Sequence, residues 1–373
     1  MKYMTPTRLT KMTESREENI SEIARRNVLV TGGGGFLGKA IVRLLLDRGD
    51  RVVSFSRNRY PELDVWGVTQ IQGDISDPVA VTQAVNGTDT VYHVAAKAGV
   101  WGAYNVYYQI NTEGTRNIIA ACRSAGIPRL IYTSSPSVVF DGGDMAGVDE
   151  TIPYPRHYEA PYPETKALAE QAVREAGGCF LSADGSWQRS EKPDAYDKAG
   201  LKTISLRPHL IWGPGDNHLV PRILQRANRL RRIGDGTNRV DIIYIDNAAR
   251  AHLLAEEALI RHPELSGNVY FISQGAPVPL WKMVDDILLA GGMPPVKGTV
   301  SPRTAFRIGA ILEWVYNTLG LKTEPPMTRF VARELSTSHW FDIRAAQRDL
   351  GYAPDVSTEE GLCRLAEYLS CQS

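Results

Sequence analysis

The chain reads as an α/β protein, a doubly wound parallel sheet with a smaller, mixed and mostly helical lobe beside it. Three observations predict this. From Asn27 onward, short apolar runs alternate with stretches of helical periodicity, the pattern of βαβ units. A run of glycines, Gly32 to Gly35, separates the first apolar run from the first helical stretch. At 373 residues with 43% hydrophobic content, the chain can build a large domain plus a lobe around a sizeable core.

Residues 1–26 are polar and of mixed charge, lack the apolar stretch of a secretory signal, and read as an N-terminal extension. Val28-Leu29-Val30 predicts a first strand, and Ala40 to Leu46 a first helix. Strands follow over 51–55, 69–73 and 90–94, then a helix over 112–125 and a fifth strand over 129–133. The next helix carries Tyr162 and Lys166 and runs to about Ala176, with another strand over 201–206. Between them, 177–200 is a long irregular stretch, read as a surface insertion in a domain spanning 27–206. Later strands near 241–246 and 268–272 are expected to return to that domain, leaving 207–240 and 273–373 as a substrate lobe.

Composition excludes several classes. With 42 basic and 42 acidic residues the formal net charge is zero, which offers no global field for nucleic acid or an anionic membrane. Cys122, Cys179, Cys363 and Cys371 are scattered without C-x-x-C spacing, and the seven histidines lack metal spacing, so no metal site is expected. This suits a reduced, cytoplasmic protein. No run reaches the roughly 18 apolar residues of a membrane span.

Thr31 to Gly38 follows a strand and opens a helix, the setting in which glycines let a backbone approach a pyrophosphate at a helix N-terminus. This is the Rossmann arrangement. Gly33 to Lys39 also fits G-x-x-x-x-G-K, but Ala40 stands where Mg²⁺ binding needs a hydroxyl, which argues against an ATPase or kinase. At the end of the second strand, Phe55-Ser56-Arg57-Asn58-Arg59 has no acid to hold an NAD ribose. Ser56 with Arg57 suits a 2′-phosphate, so NADPH is expected in preference to NADH, unless Arg57 and Arg59 are merely solvated.

Tyr162 and Lys166 stand four residues apart, so a phenol and an ammonium share one helix face. A nearby cation favours phenolate and brings a group of pKa about 10 toward proton transfer. Alone, the pair could be an ordinary surface tyrosine and lysine. Tyr162 precedes Pro163, which disfavours helical geometry except in a first turn, so Tyr162 belongs at the very start of the helix.

With Gly32, Gly35 and Gly38, then Ser134-Ser135 after a strand, then Tyr162 and Lys166, residues 27–365 resemble the extended short-chain dehydrogenases/reductases. Gly73-Asp74, His93 to Ala96, Asn111 to Thr115, and Leu206-Arg207-Pro208 leading to Trp212-Gly213-Pro214-Gly215 agree. Within them the chain looks most like the 3β-hydroxysteroid dehydrogenase branch, through Ile131 to Ser135, Phe341-Asp342 and Leu350-Gly351-Tyr352. Closer still is the similarity to the reductases of bacterial long-chain olefin biosynthesis, carried by Ala95 to Gly102, Ala160-Pro161-Tyr162, Leu210 to His218 and Tyr244 to Ala248.

That resemblance implies reduction of a 2-alkyl-3-oxoalkanoic acid, a β-keto acid, to its 3-hydroxy acid. It makes Tyr162 the proton donor, Lys166 the residue that lowers its pKa and holds the nicotinamide ribose, and Ser135 the hydroxyl that polarises the carbonyl. Ser134 replaces Ser135 if the register is off by one. The implied cofactor set is Gly32, Gly35, Phe36, Leu37, Gly38, Ser56, Arg57, Asp74, Ile75, Ala95, Ala96, Lys97, Tyr162, Lys166 and Pro208. Asn111 either organises the site or caps a helix. A homodimer is implied as well.

On the substrate side, Arg222, Arg226, Arg229, Arg231 and Arg232, with Arg239 nearby, read as a solvated face or as the source of a carboxylate partner. His209 and His218 read as structural. Residues 303–321 read as a core-packing helix or as an amphipathic one covering a greasy pocket or touching a membrane peripherally. The alternative functions are a 3β-hydroxysteroid or sterol dehydrogenase, with or without decarboxylation, and a nucleotide-sugar epimerase or dehydratase. The second prefers tightly held NAD, against which the missing acid at Ser56 counts.

Overall fold

The computed structural model describes residues 25–182, 185–190 and 200–372. Residues 1–24 of the polar extension, and 183–184 and 191–199 of the expected insertion, lie outside them.

Seven parallel strands form the main sheet: β1 (Asn27–Thr31), β2 (Arg51–Ser56), β3 (Thr69–Gln72), β4 (Thr90–His93), β5 (Arg129–Thr133), β6 (Lys202–Pro208) and β7 (Asn268–Ile272). Their order across the sheet is β3-β2-β1-β4-β5-β6-β7. The order reverses between β1 and β4, which opens a crevice outside their carboxyl ends. In β1 consecutive side chains serve opposite faces, Val28 and Val30 in one core and Leu29 in the other, and all three are buried.

Five helices cover the sheet: α1 (Phe36–Asp47), α2 (Pro78–Val85), α3 (Gly114–Ala125), α4 (Pro161–Ala176) and α5 (Ile245–Arg261). In α1 the apolar stripe Leu37, Ile41, Val42 and Leu45 turns inward, and α1 packs on α5. On the other face α2, α3 and α4 bury Val81, Ile118, Ala169 and Val173 around Leu29 and Val91. Asp77 caps α2 by accepting from the Val79 and Ala80 amides, and Gly126 ends α3 at φ 67°. Glu256 ties α5 to the opposite rim, with Arg48 at 2.6 Å, Arg26 at 2.8 Å and the Tyr92 hydroxyl at 2.8 Å.

The strand expected over 241–246 is shorter, Ile243–Tyr244, and pairs with Ile211–Trp212 apart from the main sheet, because the chain turns helical at Ile245. The described part of 177–200 is an antiparallel hairpin rather than irregular chain, Cys179–Leu181 with Trp187–Arg189. Trp187 stacks over the Arg174 guanidinium at 4.0 Å, which pins the hairpin to the end of α4. A second sheet assembles four segments distant in sequence: Val278–Pro279, Arg239–Val240, His339–Phe341 and Met145–Val148. The lobe around it includes α6 (Pro302–Thr318) and α7 (Arg329–Glu334).

Candidate active site

The glycine loop is shaped by close packing. Gly32 adopts φ 69°, donates its amide to the Phe55 carbonyl at 2.8 Å, and lies so near Ala95 that a Cβ would stand 3.0 Å from the Ala95 Cα. A Cβ on Gly38 would stand 2.1 Å from the Gly32 oxygen. No side chain caps α1 and no acid occupies its first turn, so the amides around Phe36 and Leu37 face the crevice uncompensated. At the end of β2 the Ser56 hydroxyl is buried without a hydrogen-bond partner among the described residues. Arg57 is exposed and free of ion pairs there, whereas Arg59 is held bidentately by Asp64 at 3.0 and 2.8 Å. Asp74 accepts from the Ser76 amide and hydroxyl, bonds that, with Arg57 nearby, outweigh the effect of burial and lower its pKa. Ile75 packs on Gly114 and accepts from Asn117 at 3.0 Å. A dinucleotide fits this cradle.

Behind the crevice runs a fixed hydrogen-bond chain. Thr31 Oγ1 accepts from the Val94 and Ala95 amides, both at 3.1 Å, so its proton points to His93 Nδ1 at 2.8 Å. His93 Nε2 therefore carries the proton and donates to Thr115 Oγ1 at 2.9 Å, which donates to the Asn111 carbonyl at 2.6 Å. Burial, aided by the Lys166 charge, pushes the imidazole down to about 3 and keeps it neutral.

Asn111 is not a helix cap. It lies inside a π-helical turn, Tyr108–Glu113, between Tyr104–Tyr107 and α3. Its side-chain oxygen accepts from the Lys97 amide at 2.7 Å, and its amide donates to the Lys97 carbonyl and to Thr165 Oγ1, both at 3.1 Å. One side chain thus staples the 95–97 loop to α4.

Helix α4 starts with Pro161 in its first position, which places Tyr162 in the first turn as its proline neighbours require. Ser135 follows β5 in extended conformation and caps the turn Pro136–Val139, and its hydroxyl is near enough to the Tyr162 phenol to pull that pKa down. Ser134 is buried and turned toward Glu170 instead, so Ser135 is the serine facing Tyr162. Pro208 lies buried at the end of β6.

Burial pushes Tyr162 up to about 12 against the pull of Ser135, with Glu334 and Tyr107 adding to the rise. Lys166 points inward, donating to the Thr133 carbonyl at 2.6 Å and lying 4.2 Å over the Tyr132 ring. The carbonyl takes one of the three ammonium N–H donors. Burial pushes Lys166 down to about 7, and Glu170, one turn along α4, pulls it back up. Glu170 is itself engaged by Arg207, through Nε at 3.0 Å and Nη2 at 2.5 Å, and by the Tyr154 hydroxyl at 2.5 Å. Attraction to Arg207 outweighs burial and lowers the Glu170 pKa.

On the substrate side most of the arginines are committed. Arg222 pairs with Glu324 at 2.6 Å, Arg226 donates to the Pro326 carbonyl at 3.2 Å, Arg232 pairs with Asp285 at 2.7 Å, and Arg239 donates to the Pro277 carbonyl. His209 is buried, and its ring meets the Asp241 carbonyl at 2.8 Å, a structural role. His218 precedes the helix Leu219–Arg226 with its amide donating to Asp216. Residues 303–321 do not form a core helix: only Ala305 and Gly309 of α6 are buried, and Trp314 is 68% exposed. Sequence reasoning missed Glu334. Nothing in an acid behind Arg333 at a helix end marks it as a charge that adds to the rise at Tyr162. Among the described residues no group of three or more potential metal ligands forms, and no helix is long and apolar enough to cross a membrane.

The family model of the 3-beta hydroxysteroid dehydrogenase/isomerase family matches residues 29–302. A 2-alkyl-3-oxoalkanoate reductase of Stenotrophomonas maltophilia is 51% identical over 91% of this chain and 98% of its own length. A reductase of the same description from Shewanella oneidensis is 47% identical over 91% of this chain and 85% of its own. A 3-beta-hydroxysteroid dehydrogenase of Mycolicibacterium neoaurum is 32% identical, covering 91% of this chain and 90% of its own. Among solved structures, a UDP-glucuronic acid 4-epimerase from Bacillus cereus in complex with NAD superposes with a TM-score of 0.66 at 21% identity, over 93% of this chain and 99% of that one, a likeness of fold. The chain therefore belongs to the 3-beta hydroxysteroid dehydrogenase/isomerase family, a branch of the extended short-chain dehydrogenases/reductases, and is an oxidoreductase.

Proposed function

We propose that the protein reduces a 2-alkyl-3-oxoalkanoic acid to its 3-hydroxy acid with NADPH. The observation that carries this is 51% identity to a 2-alkyl-3-oxoalkanoate reductase across 91% of the chain, joined to Ser135 beside Tyr162 at the crevice. The cofactor would lie on Gly32, Gly35, Phe36, Leu37 and Gly38, with Asp74, Ile75, Ala95, Ala96, Lys97 and Pro208 lining its length. The unpartnered Ser56 hydroxyl and the unpaired Arg57 favour a 2′-phosphate and hence NADPH over NADH. When bound, the nicotinamide supplies a hydride. Tyr162 gives its proton to the oxygen forming at C3, and Ser135 donates a hydrogen bond to that oxygen. Lys166, buried beneath them, holds the nicotinamide ribose.

The test is cofactor oxidation with NADPH or NADH across a 2-alkyl-3-oxo acid, a 3-ketosteroid and a UDP-sugar. Turnover of the oxo acid with NADPH preferred is expected. Turnover confined to the steroid would favour the family's dehydrogenase activity, and turnover confined to the sugar would sink the reading. Tyr162→Phe should cost about 10²–10⁴ in turnover while leaving NADPH binding, followed by fluorescence, nearly unchanged.

Helix α6 and the residues after it turn Ile308, Ile311, Trp314, Leu319 and Leu321 to solvent, flanked by Arg303, Arg307 and Lys322 without ion pairs among the described residues. We assign this face to peripheral contact with an anionic membrane surface, where a long-chain substrate would partition. Co-sedimentation with phosphatidylglycerol vesicles should fall sharply in Trp314→Glu. The same family resemblance favours a homodimer, which sedimentation velocity tests.

A further inference from the structure

Past β4 the chain leaves the sheet at the carboxyl end that borders the crevice, and residues 94–102 carry no helix or strand. The root of this stretch is fixed. Thr31 Oγ1 takes the Val94 and Ala95 amides, Ala95 lies against Gly32, and Asn111 grips both the amide and the carbonyl of Lys97. Beyond Lys97 the chain crosses to the lobe. Trp101 donates its indole N–H to the Leu321 carbonyl at 3.3 Å, just past the end of α6, and meets the Tyr316 ring edge to face at 6.2 Å. Gly99 sits between sheet and lobe: a Cβ there would stand 3.3 Å from the Tyr107 hydroxyl and 3.6 Å from the Glu324 carboxylate. Arg222 of the helix Leu219–Arg226 holds that carboxylate at 2.6 Å. On the sheet side, Tyr107 donates its hydroxyl to the Trp101 carbonyl at 2.9 Å, with the Lys97 ammonium 4.8 Å over its ring.

We propose that residues 98–102 form a hinged strap over the nucleotide crevice, latched to the lobe by Trp101, and that this latch opens for the dinucleotide to enter or leave. The proposal rests on the crevice being a pyridine-nucleotide site and is independent of which carbonyl is reduced. Its anchorage is uneven. Thr31 and Asn111, which hold the root, are buried, whereas the latch is one long hydrogen bond and one ring edge beside Leu321, itself 41% exposed. A contact that water can replace opens locally at low cost. The strap also has joints. Gly99 at φ 106° and Gly102 at φ 136° flank Trp101 in conformations that L side chains rarely adopt, so a large ring rides on pliable chain. Its place decides what it controls. A segment rooted against Gly32 and tied to Leu321 spans the gap between the glycine loop and the lobe, the gap that a dinucleotide must pass.

The test is stopped-flow fluorescence of NADPH with the full chain, following association directly and release on a chase with excess NADP⁺. Trp101→Ala removes the hydrogen bond and the ring contact, so association and release should both quicken, release by about tenfold or more. Trp101→Phe keeps an aromatic edge for Tyr316 but gives up the N–H, and should fall between. Gly102→Ala leaves every latch atom in place and strains only the closed backbone, so it should also quicken both rates. That variant keeps the test valid if Trp101→Ala folds poorly. A gate alters passage in both directions, so Kd should move less than either rate; loss of a direct contact with the cofactor would quicken release alone. Release quickening alone, or unchanged rates in Trp101→Phe and Gly102→Ala, overturns the strap. If the wild type binds neither NADPH nor NADH, the cofactor reading falls and the strap with it.

Discussion

In the proposed reaction, Ser135 and Tyr162 define what each direction asks of a proton. With its pKa pushed up to about 12, Tyr162 enters protonated throughout the neutral range, as a donor must. Reduction should therefore be flat with respect to the tyrosine from roughly pH 6 to 9, while oxidation, which needs phenolate, climbs about tenfold per pH unit. Initial rates in both directions at saturating cofactor check this. Ser135→Ala removes the one neighbour that lowers the Tyr162 pKa, so the oxidative limb should move to still higher pH. Loss of the oxyanion donor should lower kcat by about 10²–10³. The sequence motif identifies which residues sit together, because four-residue spacing on a helix is local. It does not tell where the Lys166 ammonium goes. Thr133 and Tyr132, which receive it, belong to β5 and come near only through the sheet.

Helix α4 is anchored from below by a buried ion pair, Glu170 with Arg207 of β6. Glu170→Ala would strand a buried guanidinium and should cost about 3–5 kcal/mol in chemical denaturation. It should also drive the Lys166 pKa lower, since Glu170 is what holds it up. The β1–α1 turn depends on packing rather than charge. Gly38→Ala sets a Cβ against the Gly32 oxygen, so a loss of about 1–3 kcal/mol is expected, with weakened cofactor binding by fluorescence titration. Gly32, Gly35 and Gly38 were legible because strand, turn and helix are contiguous. The π-turn around Asn111 was not, since one extra residue in a helical turn leaves no mark in apolar periodicity. Nor was the hairpin pinned by Trp187, whose partners Arg174 and Tyr154 lie upstream.

Across the whole molecule, buried imidazoles make the fold sensitive to acid, and His93, His209, His252 and His339 are all held below the usual histidine range by burial. Burial pushes His93 and His209 down to about 3 and His252 to about 4, whereas the unfolded chain titrates near 6.5. Below about pH 6.5 the unfolded state binds protons that the native state refuses, so stability present above that pH is lost as pH falls toward the folded values. At pH 5 the loss is of order 2 kcal/mol per histidine, and urea midpoints measured between pH 8 and 5 should fall accordingly. The parallel sheet was readable because its central strands are continuous apolar runs. The second sheet was not, because its strands are two to four residues long and meet from four distant parts of the chain. One of those strands, Met145–Val148, precedes α4, while β7 returns to the main sheet after the chain has already entered the lobe. The lobe is thus woven into the sheet, with no single joint at which it could be cut. Grafting another relative's specificity onto this chain by exchanging one contiguous cassette should yield insoluble protein, and recombination that replaces all four threads together should be the route that preserves a fold.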